Sequence, residues 1–373
     1  MTVNAVDVFC GAGGLSLGME RAGFNLLCAI DSWSVAAATY ALNFAHPVLE
    51  TDVSSLTAEA ITRHCGTEKI DAVVGGPPCQ GFSVQRIGSD SDVRNNLVLE
   101  FARLVREFDP RMFLMENVPG LVGRRGRQLA SVFEVQLTDA GYEVEGRVVN
   151  AADYGVPQSR RRVFYYGWRR GEEPFRFPAS DCGSRPLRTV WDAIGDLPSP
   201  PDDHSPSPND PLHRRTRLSR INQERIGLIP PGGGMEDLPV ELRVNCHKKG
   251  ATAIGHRYVY GRLAPDRPAA TITARFDSFT RGKFGHPYEH RNITLREGAR
   301  LQTFPDDFRF AGTQEEIAAL IGNAVPPLLA EAIGVAMYGY LTAAGDSRCV
   351  PHRVRPSMSS GRQLDLLDCG RAT

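Results

Sequence analysis

The chain has 373 residues, with 43 Lys and Arg balanced by 43 Asp and Glu, and therefore no formal net charge. Hydrophobic residues make up 42% and charged residues 23%, an ordinary globular composition that excludes global disorder, a collagen-like fibre and a disulfide-stapled mini-protein. The length suits one large domain or, better, two of ordinary size.

The first third alternates strand-like and helix-like segments. Ala5–Phe9 reads as a strand, Leu15–Ala22 as a helix stopped at Gly23, and Leu26–Ile30 as a strand ending at Asp31. Val35–Asn43 and Thr57–His64 read as helices, and Ala72–Val74 as a strand running into Gly75-Gly76-Pro77-Pro78. Leu97, Phe101, Leu104, Val105 and Phe108 share one helix face. Met112–Met115 is the next strand, ending at Glu116-Asn117. This order predicts an α/β fold with a doubly wound parallel sheet. Ligands sit at the carboxyl ends of such strands, where the Gly, Pro and polar residues cluster here.

After Trp168 the texture changes. Pro198, Pro200, Pro201, Pro206, Pro208 and Pro211 punctuate a Ser/Asp-rich linker. Residues 212–290 have weak helical period and read as a smaller, irregular domain with short strand-like pieces such as Arg257–Tyr260. Residues 204–290 hold 14 Lys and Arg against 8 Asp and Glu, which suits either a polyanion contact or a solvated basic face. Thr294–Glu297 and Thr313–Glu316 have the capping-box pattern, and Ala332–Leu341 reads as the last helix. The expected division is 1–173, a second domain with its linker at 174–290, a return segment at 291–345 and a mobile tail at 346–373.

The eight cysteines are too far apart for a zinc knuckle or a CxxC site, and free thiols fit a reducing cytoplasm. Met1–Cys10 has no basic residue ahead of its apolar run, so no secretory signal is expected. The most apolar stretch, Ile317–Gly345, contains Asn323, Pro326, Pro327 and Glu331, which fits a buried loop and core helix better than a membrane span.

Four segments carry possible chemistry. Asp7–Gly14 is a strand running into a Gly-rich turn, which lets backbone approach a ligand. Ser16 breaks the GxGxxG pattern, but Asp31 stands where a ribose-hydroxyl acceptor belongs, so an adenosine-type cofactor is expected. A tight turn without a ligand is the plainer alternative. In Gly75–Ser83 two prolines pin the backbone before Cys79, which suits a nucleophile, although most lone cysteines are inert core residues. Glu116 caps a strand at the same edge, where a partly buried carboxylate suits a proton donor and an exposed one is merely a strand end. Arg160 and Arg162 share one strand face and suit a polyanion or a carbonyl, or form a solvated basic cluster. His286–His290 matches H-x-x-E-H, but Gly285 and Pro287 make it a loop, so the match reads as chance and no metal is expected. Asn292-Ile293-Thr294 is a sequon without a secretory context.

Taken together, from about Ala5 to Tyr340, these segments resemble the cytosine-C5 DNA methyltransferase family and keep its motif order. The cofactor turn is Asp7–Gly14, the nucleophile loop Gly76–Ser83, the acidic motif Met115–Leu121 and the arginine motif Gln158–Phe164. Arg267–Arg275 resembles the motif supporting the target-recognition domain, and Gly322–Pro327 the last cofactor motif.

The resemblance implies a Rossmann-like methyltransferase sheet with a target-recognition domain, S-adenosylmethionine as cofactor and S-adenosylhomocysteine as product. It implies Phe9 against the adenosyl group, Gly11 and Gly13 near the methionine part, Asp31 on the ribose and Asp52 on the adenine, with Pro78, Asn323 and Val325 also in the pocket. Cys79 would add to C6 of a flipped cytosine, Glu116 would bind its N3/N4 edge, Arg162 its O2, and Arg160 would support the loop and a nearby phosphate. The loop at Ser83–Asn96 would close over the base, and Ser83, Arg275, Arg281 and Lys283 would contact DNA. The implied partner is double-stranded DNA, with a possible separate restriction endonuclease, for a cytoplasmic, nucleoid-associated monomer without a membrane. An RNA cytosine methyltransferase and a non-enzymatic DNA-binding regulator on the same fold are the alternatives. Gly81-Phe82-Ser83 after Cys79-Gln80 favours the DNA enzymes, and the presence of Cys79, Glu116 and Arg162 opposes the regulator.

Overall fold

The computed structural model describes residues 2–66, 69–78, 96–180, 186–245 and 259–343. The apolar runs of the first third become parallel strands β1 (Asn4–Val8), β2 (Asn25–Asp31), β3 (Val48–Glu50), β4 (Ala72–Gly75) and β5 (Met112–Asn117). Between them run α1 (Gly14–Arg21), α2 (Ser34–Ala41), α3 (Ala58–Cys65) and α4 (Asn96–Phe108). Next come α5 (Arg127–Asp139), β6 (Tyr142–Asn150) and β7 (Arg161–Arg169). The strand order is β3-β2-β1-β4-β5-β7-β6. The chain thus winds one way from β1 and the other way from β4, and the crevice between their carboxyl ends is the switch point where such sheets bind ligands.

Two features depart from the sequence reading. Strand β7 is antiparallel to both β5 and β6, so the parallel sheet stops at five strands. This reversal sets the start of β7 beside the carboxyl end of β5, with Asn117 opposite Val163. Elements β3, α5 and β6 were not anticipated. Strand β3 has only three residues. Strand β6 alternates half-buried and exposed positions instead of forming an apolar run.

Strand residues alternate between two cores, as the pleat requires. Val6, Val8, Val73, Phe113 and Met115 pack with Phe101, Leu104 and Phe133 of α4 and α5. Ala5, Ala72, Val74, Met112 and Leu114 pack on the other face with Leu15 and Met19 of α1. That second core is completed by Leu329, Ile333 and Met337 of a long terminal helix. Helix α1 packs against it closely, since a Cβ at Gly18 would lie 2.4 Å from that of Ala330.

Beyond the sheet lie α6 (Val190–Ile194), α7 (Arg220–Leu228), α8 (Leu295–Leu301), α9 (Gln314–Asn323) and α10 (Pro327–Ala343), the terminal helix. Both anticipated capping boxes form, Thr294 with Glu297 at α8 and Thr313 with Glu316 at α9. Helix α10 begins earlier than the sequence reading placed it, with Pro327 at its first position, where a missing N–H costs nothing. Gln314–Ala343 is long and apolar enough to cross a membrane by composition, with a mean hydropathy of 1.5, yet 72% of that window is buried inside the protein. It is two core helices with a break at Ala324–Pro326.

Much of the Pro-rich and basic stretch joins the sheet's surroundings. Val190, Ile194, Leu212, Leu263, Ile272 and Phe284 share a core with Ala12, Tyr40, Leu301 and Ile321. Ile226, Ile229, Met235, Leu238 and Phe279 form a separate small cluster around α7. Of the expected strand-like piece Arg257–Tyr260, Arg257 and Tyr258 lie outside the described residues and Val259 and Tyr260 are not in a strand; the tail after Asp346 also lies outside them.

Candidate active site

Strand β1 feeds a turn in left-handed backbone: Phe9 has φ 66°, Gly11 55° and Gly13 88°. For phenylalanine this conformation is strained. It is held because the N–H groups of Phe9 and Cys10 both donate to the carbonyl of Ile30, at 2.8 and 3.1 Å. The glycines have different reasons to be glycine. A Cβ at Gly13 would sit 2.4 Å from the Phe44 ring, and one at Gly14 would sit 2.2 Å from the Val325 carbonyl. A Cβ at Gly11 would meet nothing within 4 Å. Gly11 therefore borders open space, while Gly13 and Gly14 are required by packing.

Asp31 ends β2 beside this turn. Its Oδ2 accepts from the Gly11 N–H at 2.8 Å and its Oδ1 from the Trp33 N–H at 2.9 Å. Burial nonetheless holds its pKa above the ordinary carboxylate value. Asp52 follows β3 at the same edge, and its Oδ1 accepts from the N–H and hydroxyl of Ser54, which lowers its pKa. Val325 is buried against Gly14, and Asn323 is exposed at the end of α9.

Under the turn lies a group that sequence reasoning passed over. Asp7 is fully buried, and its Oδ2 accepts from the Ser16 hydroxyl at 2.5 Å. Burial, opposed by the Ser16 bond and helped by the charge of Asp31, pushes Asp7 up to about 7. Tyr40 donates to the Ser16 oxygen at 2.7 Å and meets His46 Nε2 at 2.6 Å. Ser16, which breaks the dinucleotide pattern, is thus the centre of a buried hydrogen-bond chain. The Oδ1 of Asp7 has no hydrogen-bond partner among the described residues.

The other half of the site is built on β5. Arg162 Nε lies 2.9 Å from Glu116 Oε1, without the alignment of a hydrogen bond, so that oxygen still has acceptor capacity. Arg162 is steadied by donating to the Arg161 carbonyl at 2.7 Å. A Cβ at Gly76 would lie 3.6 Å from Glu116 Oε2, so the Gly-Pro-Pro segment passes directly beside the carboxylate. Asn117 Nδ2 donates to the Pro77 carbonyl at 3.0 Å and fixes that segment. Pro78 is exposed and leads into Cys79. Cys79 and Ser83 lie outside the described residues, as does most of the expected closing loop at 83–96.

Arg160 needs a correction. It is 1% exposed, and its Nη1 donates to the carbonyls of Ile272 at 3.1 Å and Gly322 at 2.9 Å. Burial first, and the Arg162 charge second, push its pKa down. So enclosed, its guanidinium does not reach a DNA phosphate. It ties the Arg267–Arg275 segment to the end of α9 and is a positioning residue. Gln158 works beside it, donating to Gln302 Oε1 at 2.8 Å and accepting from the Ile272 N–H at 2.8 Å. The sequence offered only its place in the arginine motif.

The residues expected on DNA differ among themselves. Arg275 pairs with Asp277 at 3.2 Å and Glu315 at 3.3 Å. Lys283 pairs with Glu236 at 3.0 Å. Arg281 is exposed, and its side chain has no partner among the described residues. The H-x-x-E-H segment is a brace on a buried histidine: His286 Nδ1 accepts from the N–H groups of Tyr288 at 3.2 Å and Glu289 at 2.9 Å. Burial pushes His286 down to about 4. Arg291 bridges Glu289 and Glu297, the latter at 2.7 Å. Among the described residues, no group of three His, Cys, Asp or Glu is placed to hold a metal ion. The sequon residue Asn292 is fully buried.

Comparison with known proteins agrees with this geometry. The profile of the family described as C-5 cytosine-specific DNA methylase matches residues 3–339. The chain is 36% identical to the type II methyltransferase M1.HphI of Haemophilus parahaemolyticus, over 90% of this chain and 87% of that protein. It is 35% identical to the type II methylase M.HgiDII of Herpetosiphon aurantiacus, over 90% and 95%. A crystal structure of a putative DNA modification methyltransferase from an E. coli prophage superposes with a TM-score of 0.67 at 32% identity, covering 91% of this chain and all of that one, 100%. The S. pombe Dnmt2 methyltransferase, at 16% identity, shares the fold with a TM-score of 0.62 over 92% of this chain and 99% of that one. The chain therefore belongs to the C-5 cytosine-specific DNA methylase family and is a DNA cytosine-5-methyltransferase.

Proposed function

We propose that the enzyme methylates a cytosine flipped out of a specific duplex sequence, through a covalent bond from Cys79 to C6, as the modification half of a type II restriction–modification pair. The carrying observation is the Glu116–Arg162 pair, 2.9 Å apart, beside the Gly76-Pro77 segment that leads into Cys79. That edge adjoins the Gly11–Asp31 cradle across the switch point.

The cradle suits S-adenosylmethionine, which supplies an electrophilic methyl group. Open space at Gly11 admits a ligand against the backbone. Asp31 would hold the ribose hydroxyls and Asp52 the adenine amino group. Phe9 would lie against the adenosyl group, Gly13 would shape the methionine end, and Pro78, Asn323 and Val325 would border the pocket.

Cytosine C5 is a poor nucleophile. Addition of the Cys79 thiolate at C6 makes C5 enamine-like, while Glu116 holds the N3/N4 edge of the base and favours protonation at N3. Arg162 holds the cytosine O2 and keeps Glu116 oriented. After methyl transfer a base removes the C5 proton, the Cys79–C6 bond breaks, and aromaticity returns, with S-adenosylhomocysteine as the other product. A stacked base is inaccessible to Cys79, so flipping comes first. Arg281 is the expected DNA contact left unpaired, and the small cluster around α7 is the part of 174–290 with a core of its own, suited to sequence reading. The names of the type II relatives support a separate cognate endonuclease. We read the protein as a monomer acting on cytoplasmic, nucleoid-associated DNA.

The test is incubation with tritiated S-adenosylmethionine and either mixed-sequence duplex DNA or transfer RNA. Label in duplex DNA at cytosine C5 is expected. Label in RNA alone would move the activity to an RNA cytosine methyltransferase, and DNA binding without label would favour the regulator.

A further inference from the structure

The segment after Glu116 carries charge that neither the fold nor the mechanism uses. From β5 the chain makes one tight turn, Pro119–Leu121, and enters α5 through Gly123-Arg124-Arg125-Gly126-Arg127. This turn is rigid. Leu121 is fully buried, and the N–H groups of Gly126 and Arg127 both donate to the Gly123 carbonyl, at 3.1 and 3.0 Å. A Cβ at Gly126 would lie 2.4 Å from the Leu121 carbonyl, so no other residue fits without moving backbone.

The side chains of Arg124, Arg125 and Arg127 are all exposed, and none has a hydrogen bond, ion pair or ring partner among the described residues. No Asp or Glu occurs between Asn117 and Phe133. Arg161, also exposed, begins β7 just beyond the Asn117–Val163 pairing and extends the basic rim along the same sheet edge. In the basic 204–290 segment, Arg215, Arg262, Arg275 and Lys283 are bound to carboxylates or carbonyls, while Arg281 is exposed like the three of this turn. In a chain of zero net charge, three uncompensated guanidinium groups on a fixed turn, eight to eleven residues after the proposed base-binding carboxylate, form a local field for a polyanion.

We propose that Arg124, Arg125 and Arg127 are a landing site for backbone phosphates of the duplex whose cytosine reaches Glu116. The inference rests on duplex DNA being the substrate. Guanidinium groups suit phosphate oxygens through paired N–H donors. Such contacts position the duplex without reading its sequence.

The experiment measures affinity of the full chain for a mixed-sequence duplex across a salt series. Removing one guanidinium–phosphate interaction lowers the slope of log affinity against log salt by about 0.9. The triple variant Arg124→Gln, Arg125→Gln, Arg127→Gln should lose about two to three from that slope and weaken on cognate and unrelated duplexes alike. Its thermal unfolding and S-adenosylmethionine affinity should match wild type. The triple Arg→Lys variant should restore the slope, which a merely structural role would not predict. A Gln variant with the wild-type slope overturns the landing site and leaves the methyltransferase reading intact. A wild-type protein that binds no duplex overturns both. A slope lost only for an acidic protein or an RNA would assign the patch to that partner instead.

Discussion

At the carboxyl edge of the parallel sheet, Glu116 is buried yet keeps unused hydrogen-bonding capacity. Asp31 steadies the Gly11 turn, and Glu116 faces Arg162 with Oε1 still able to accept. Around His286 the same residue types are spent. Arg291 is bound to Glu289 and Glu297, Arg262 to backbone carbonyls, and His286 to two backbone N–H groups. Charge alone therefore does not mark a working site. What separates Glu116 from Arg291 and His286 is whether the fold has already satisfied the group.

Substitutions at the two regions should fail differently. Glu116→Gln keeps the shape but loses the carboxylate that holds the N3/N4 edge, so methyl transfer should fall by about 100- to 10,000-fold, the usual range for an acid–base group. Cofactor affinity and unfolding midpoint should hold; an equal loss of both would make Glu116 structural. Arg291→Met strands two carboxylates, one of them in the core, and should destabilise by about 3–5 kcal/mol, read by urea unfolding.

Acidity sharpens the contrast. His286 is neutral in the fold with a pKa of about 4, against an ordinary 6.5. Below about pH 6.5 the unfolded chain takes a proton that the folded chain refuses, so stability falls until about pH 4, by on the order of 3 kcal/mol in all. Glu289, held at about 2 by Arg291 despite burial, loses its stabilisation only at lower pH. Asp7, raised to about 7, acts oppositely, since it favours the fold as pH falls from 7 towards 4. The difference between wild type and His286→Asn isolates the histidine: the wild type should lose more stability between pH 7 and 5, and parallel profiles would remove His286 from the account. The smallest effect is on DNA. Arg281→Gln should lower the salt slope by about one, and Lys283→Gln, already paired with Glu236, by less.

Most of the first third was legible because parallel strands buried on both faces are continuous apolar runs with Gly, Pro or Asp at their ends. Asp31, Glu116 and the Pro77-Pro78 segment stand at such ends. The edge strand β6 was not legible, because its residues alternate in burial and include Glu143, Glu145 and Arg147. Nor was the fate of Arg160, since its partners, the carbonyls of Ile272 and Gly322, lie more than a hundred residues away. Gly14 shows the limit on the site itself. It ends the Gly-rich turn whose glycines read as room for a ligand, yet what it accommodates is the Val325 carbonyl. The basic balance of 204–290 was legible as a number, but its meaning depended on pairings such as Arg275 with Glu315, which only the fold assembles.

The most direct test of the account is intact-mass analysis after reaction with S-adenosylmethionine and duplex DNA carrying 5-fluorocytosine, whose fluorine blocks the proton loss needed for release. The account predicts a stable protein–DNA adduct carrying one added methyl group, absent in Cys79→Ser and strongly reduced in Glu116→Gln. Methylation of ordinary duplex DNA by Cys79→Ser, or an adduct that forms without Cys79, would contradict it.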